Sequence, residues 1–171
     1  MVYAKCIRAS QVVNDIHEFE IRKVTDDNCV YCVGQVTTSK IGQDTLGCVP
    51  LNFIYDCLKY GDIIAIIQVE DNESVYMDGN LGNVTIFSKE QKVLGFLNAY
   101  AKETIDYIFD EVKNPDIVHE GYKNNFSEEL RIYFENKKEE KRVLETGIVK
   151  ANIEPNRKKF RPFGKLRKKK I

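Results

Sequence analysis

The side chains with the plainest chemistry close the chain. Residues 157–171 read RKKFRPFGKLRKKKI, of which nine are Lys or Arg and none is acidic. Cations at that density neutralise phosphates and release their condensed counterions. Phe160 and Phe163 stand among them, and an aromatic ring so placed can stack on an unpaired base. The candidate nucleic-acid-binding set is therefore Arg157, Lys158, Lys159, Phe160, Arg161, Phe163, Lys165, Arg167, Lys168, Lys169 and Lys170. The remainder of the chain has the opposite sign. Residues 1–140 hold 14 basic and 24 acidic side chains, a balance of −10, while residues 141–171 hold 12 and 2, a balance of +10. The formal net charge of zero thus conceals two poles, and that asymmetry points to a basic arm for nucleic acid, an acidic partner or a membrane surface.

Other reactive side chains form weaker patterns. Cys29 and Cys32 have the spacing of a zinc knuckle, but the second knuckle is missing, since Cys48 and Cys57 lie nine apart. In a strand the odd separation would also turn their thiols to opposite faces. Five cysteines, at 6, 29, 32, 48 and 57, are accordingly expected as reduced, metal-free thiols. The two histidines, His17 and His119, have no nucleophile elbow or papain-type cysteine near them and are expected at the surface. The glycines of 78–83 (DGNLGN) lack the Lys-Ser/Thr of a phosphate loop and the spaced carboxylates of a calcium loop, and read as a hairpin turn. The acidic groups at 15–20 and 70–73 read as solvated faces that repel phosphate and leave the tail to bind it. No catalytic, cofactor or metal site is assigned, and a non-enzyme is expected.

The elements that position the tail follow from periodicity. Strands are expected at 2–7, from about 18 to 24 after a short helical turn, at 30–38 with a bulge at Gly34, at 46–49, 63–69, 75–77 and 83–87. Between 46–49 and 63–69, Pro50 opens a helix whose apolar side is Leu51, Ile54 and Leu58, and Gly61 ends it in a left-handed conformation. This unit, VPLNFIYDCLKYGDI, resembles the signature of swapped-hairpin transition-state regulators and antitoxins, over about 25 residues. From Ser88 the period changes to that of a helix. Ser88-x-x-Gln91 has capping-box form, and Val93, Leu97, Ala101, Ile105, Ile108 and Val112 run down one side. A single helix over 88–114, stopped by Pro115, is expected. A second helix starts near Ser127, and 143–153 (VLETGIVKANI) contains a returning strand.

The fold class expected is α+β: a curved, mainly antiparallel sheet or small β-barrel (1–87), a helical region with a returning strand (88–153) and a basic tail (154–171). No apolar run reaches membrane length, and no leader segment opens the chain, so a cytoplasmic protein is expected, nuclear if the source is eukaryotic or viral. The function expected is that of a non-enzymatic nucleic-acid-associated accessory protein in replication, transcription or an RNA–protein assembly. The alternative is a structural or protein-interaction subunit whose tail docks on an acidic partner. The 88–114 helix would supply any homo-oligomer or larger complex.

Overall fold

The computed structural model describes residues 2–14, 21–26, 29–38, 46–69, 76–78 and 85–153. The expected tail 154–171, and with it every candidate nucleic-acid-binding residue, lies outside the described residues, as do His17, the two acidic groups at 15–20 and 70–73, and residues 79–83 of the expected hairpin turn.

The centre of the molecule is the apolar run Ile63–Gln68, strand β7, in which Ile63, Ile64, Ala65, Ile66 and Ile67 are all buried. A strand apolar on both faces requires a layer on each side. β7 receives β1 (Val2–Ile7) on one edge and β10 (Glu90–Asn98) on the other, both antiparallel. Outward from β1 come β6 (Leu46–Pro50), β9 (Thr85–Ser88) and β8 (Tyr76–Asp78), and outward from β10 comes β5 (Val36–Thr38). This seven-stranded sheet has the order β5-β10-β7-β1-β6-β9-β8. A three-stranded sheet, β2 (Gln11–Asn14), β3 (Ile21–Thr25) and β4 (Val30–Cys32), covers one of its faces. There Val24, Cys29 and Tyr31 meet Tyr3, Ile7, Ala65, Ile67 and Val93. The opposite face carries the helices: Ala4, Cys6, Ile64 and Ile66 pack against Ile54, Tyr55, Ile105, Ile108, Phe109 and Phe134. Alternate residues of β1 and β7 thus serve alternate cores, as the two-residue period of a strand demands.

Several expectations need correction. The predicted 88–114 helix is two elements: β10, then a helix α1 confined to Lys102–Glu111. The sheet therefore runs past Phe87 to Asn98, and the oligomer contact assigned to that long helix has no helix to carry it. The capping box is absent as well, because Ser88 and Gln91 are buried strand residues, and Gln91 Nε2 donates to the Leu46 carbonyl at 2.9 Å. A bulge between Val93 and Gly95 explains the misreading. It shifts the parity, so Val93 and Phe96 serve the small-sheet side and Leu97 the helix side. The resulting spacing of three mimics a helix. The short helical turn expected before β3 is the strand β2, hairpinned onto β3. The 30–38 strand is β4 and β5 joined by a turn, with Gly34 at φ +79°, where its amide donates to the Val93 carbonyl at 2.8 Å. That bond ties the small sheet to β10.

The segment after Pro50 is a ten-residue 3₁₀ helix, Leu51–Tyr60, with Leu51, Ile54, Tyr55 and Leu58 buried. Gly61 follows it, not in the left-handed helical well but at φ +157°, ψ 168°. Its role is close approach, since a Cβ there would lie 2.0 Å from the Ile7 carbonyl carbon. The expected returning strand at 143–153 is the last part of a 26-residue helix α2, Glu128–Ile153.

Candidate functional site

The basic tail hangs from α2, so its presentation depends on how that helix is held. Ser127 caps it, its Oγ accepting from the Leu130 amide at 3.3 Å. Glu128 and Glu129 in the first turn suit the positive end of the helix dipole. Leu130 and Phe134 anchor the first two turns in the helix-side core, where Tyr55, Phe109, Tyr122 and Phe126 surround Phe134.

Beyond Phe134 the contacts become ionic. Asp106 and Asp110, one turn apart on α1, face Lys137 and Lys141, one turn apart on α2. Lys137 Nζ lies 3.0 Å from Asp106, and Lys141 pairs with Asp110. Tyr133 donates to the same Asp106 at 2.9 Å. Lys102 of α1 reaches Glu129 at 2.7 Å. On the other flank Lys138, almost fully buried, reaches Glu120 at 3.1 Å, and Arg142 pairs with Asp116. Hydrogen bonds from Lys141 hold the Asp110 carboxyl below its ordinary range, those from Lys123 and Lys138 do the same to Glu120, and that from Lys102 to Glu129.

The loop under α2 is fastened to the 3₁₀ helix. The His119 amide donates to the Asn52 carbonyl at 2.9 Å, and Asn52 Nδ2 donates to the Ile117 carbonyl. His119 Nδ1 lies 2.9 Å from Asp56 Oδ2, and its ring meets that of Phe53 at a tilt of 49°, centroids 4.0 Å apart. His119, expected at the surface, is half-buried, with 38% of its side chain exposed.

The electrostatic consequence is a division at Arg142. Lys137, Lys138, Lys141 and Arg142 all have acidic partners on the body. Residues 143–171 hold 10 basic and 2 acidic side chains, and that excess of +8 lies past the last of these ion pairs. Val143, Leu144, Glu145, Thr146 and Gly147 are all exposed, more than one full turn, so the helix has left the body. From residue 143 to Ile153 it spans roughly 16 Å at 1.5 Å per residue. α2 is thus a stalk, zipped down by ion pairs along its middle and exposed from Val143 to Gly147. The stalk was missed by sequence reasoning, although the four-residue spacing of Asp106/Asp110 against Lys137/Lys141 was its signal.

The other reactive groups are spread through the fold. All five cysteines are free thiols. Cys29 is buried with its thiol on the Thr38 carbonyl, while Cys32, at the end of β4, is partly exposed. Burial pushes the Cys48 thiol up to about 12 and the Cys6 thiol higher, which leaves both as thiols and poor nucleophiles. Among the described residues no group of three or more His, Cys, Asp or Glu side chains is arranged to hold a metal, and no helix is long and apolar enough to cross a membrane. No protein-family model matches the chain, and no curated protein or solved structure shows significant similarity to it.

Proposed function

We propose that this is a nucleic-acid-associated accessory protein, whose basic C-terminal arm grips phosphate while the folded body serves as its mount. One observation carries the reading: Lys137, Lys138, Lys141 and Arg142 of α2 are matched by body acids, whereas nine bases and no acid follow in 157–171, past the last of these pairs. An acidic body with a basic extension confines phosphate to the extension, because the body repels it. Arg157, Lys158, Lys159, Arg161, Lys165, Arg167, Lys168, Lys169 and Lys170 supply affinity by counterion release, and Phe160 and Phe163 add stacking on single strands.

The test is a fluorescence-anisotropy titration of the full chain and of a chain ending at Pro155, at two salt concentrations. If about six cations each neutralise one phosphate, log K falls against log salt with a slope near −5 on duplex DNA. The shortened chain keeps its fold and loses binding. Phe160→Ala and Phe163→Ala each cost about 1–3 kcal/mol on single strands and much less on duplex. Equal binding by the shortened chain, or salt-independent binding by the full one, refutes the arm and moves the tail to an acidic protein partner.

A further inference from the structure

The stripe that holds α2 to the body does not stop where the body stops. Leu130, Phe134, Lys137 and Lys141 are spaced four, three and four, and all of them face the body: the first two are buried and the next two are ion-paired to α1. The same spacing continues through Leu144, Ile148 and Ala151. Leu144 sits on the core-facing line of the helix and yet is 53% exposed, with Val143 beside it at 61%. Segment 143–153 is also a poor free-standing helix. It holds Gly147 and five β-branched residues, Val143, Thr146, Ile148, Val149 and Ile153. A short helical end of that composition draws little stability from propensity and needs packing.

We infer that this end of α2 pairs, antiparallel, with the same end of a second copy of the chain. The three-four repeat is that of two helices packed side by side, and a two-fold axis would cover both stripes with one contact. Charge selects the orientation. In a parallel pair the two +10 ends would lie together, as would the two −10 bodies. In the antiparallel pair each basic end runs over the other copy's acidic body, past Glu111 and Glu145, both exposed where α2 leaves the body. Area sets the strength. An overlap of roughly 16 Å of helix falls short of the ~800 Å² per partner of a standard interface, so the apolar stripe alone makes a weak pair. Salt-sensitive attraction between end and body has to add to it. The pair therefore competes with nucleic acid for the same tail.

Analytical ultracentrifugation of the full chain, without nucleic acid, tests this over about 1–200 µM. The expected result is a reversible rise from one chain toward two, with the dissociation constant weakened at least tenfold between 50 and 500 mM salt. Leu144→Asp, which alters an exposed position and leaves the fold intact, abolishes the rise. Val36→Asp, at an exposed apolar position on β5, leaves it unchanged. Zero-length carbodiimide cross-linking of mixed ¹⁴N and ¹⁵N chains yields tail-lysine to body-carboxylate links between copies. A single-chain mass throughout, dimerisation indifferent to Leu144→Asp, or links only between like ends overturns the inference. So does a chain that is monomeric alone and pairs only on added duplex DNA. The measurements made without nucleic acid do not depend on whether the tail binds it, so the two readings fail separately.

Discussion

At the scale of single residues, the fold rests on close approach, as at Gly61, and on the pairing of buried polar groups, from which Ser88, Tyr55 and Gln91 each depart by one side-chain atom among the described residues. Gly61 has no room for a side chain: a Cβ would sit 2.0 Å from the carbonyl carbon and 2.1 Å from the carbonyl oxygen of Ile7, both backbone atoms that cannot swing away. Gly61→Ala should therefore destabilise by at least about 2 kcal/mol, from strain at φ +157° together with the clash. Urea unfolding measures it, and a loss below about 0.5 kcal/mol, the scale of an ordinary surface change, would contradict the close approach. Ser88 is the converse case. Its Oγ is fully buried without a hydrogen-bond partner in the structure. Removing a buried, unpaired hydroxyl relieves a desolvation cost, so Ser88→Ala should be neutral or stabilising by up to ~1 kcal/mol. Had Ser88 capped a helix, as its sequence setting with Gln91 implies, the same change would be destabilising by a similar amount. The sign of one measurement thus separates strand from cap. Ile105, by contrast, is read the same way from sequence and structure: it is fully buried, and Ile105→Asp should cost several kcal/mol by burying an unpaired charge.

At the scale of elements, legibility followed the purity of the hydrophobic pattern. The all-apolar β7 and the alternating β1 were readable because nothing else fits a continuous apolar run of strand length beside turn residues. β10 was not, because its bulge inserts one residue and replaces the spacing of two by three. The last part of α2 was misread in the other direction, since Val, Thr and Ile favour strands by propensity. In the helix Thr146 Oγ1 instead donates to the Arg142 carbonyl at 2.8 Å, four residues back. What fastens α2 could be read only with both helices in place, because an ion-pair ladder is a relation between elements. Its pH dependence has a definite sign. Asp110, Glu120 and Glu129 have folded-state pKa values depressed below the ordinary 3.8 and 4.5 by their lysines. Such groups bind fewer protons folded than unfolded, so their contribution is complete above the unfolded values and disappears as pH falls through the folded ones. The melting temperature followed by circular dichroism should be flat from pH 7 to about 5 and fall below about 4, and the fall should be smaller in Asp110→Asn. An identical acid profile in that variant would remove the ladder from the account.

At the scale of the whole molecule, the question is which residues make the fold and which are carried by it. The three layers close without help from the end of the chain: β7 is covered on both faces by residues between Tyr3 and Phe134. The last ties from α2 to the body are Lys141 to Asp110 and Arg142 to Asp116. After them come five exposed residues in succession. Val143 and Leu144 therefore contribute nothing to the core, although both are apolar. A chain ending at Arg142 has 16 basic and 24 acidic residues, a net charge of −8 against zero for the full chain. Removal of residues 143–171 should leave its unfolding free energy within about 0.5 kcal/mol of the full chain's, the range of ordinary surface changes. The effects on association should be much larger, because the whole positive pole is gone. The shortened chain should migrate as an anion, stay single at every concentration, and bind neither duplex nor single strands at moderate salt. The comparison with the chain ending at Pro155 then divides the two functions of the end. That longer fragment keeps the Leu144, Ile148 and Ala151 stripe and lacks the nine tail bases. It should retain a weak, salt-insensitive tendency to pair while binding no nucleic acid. A large loss of stability on cutting at Arg142 would mean that 143–171 packs against the body, and α2 would then be part of the core along its whole length instead of a stalk for the arm.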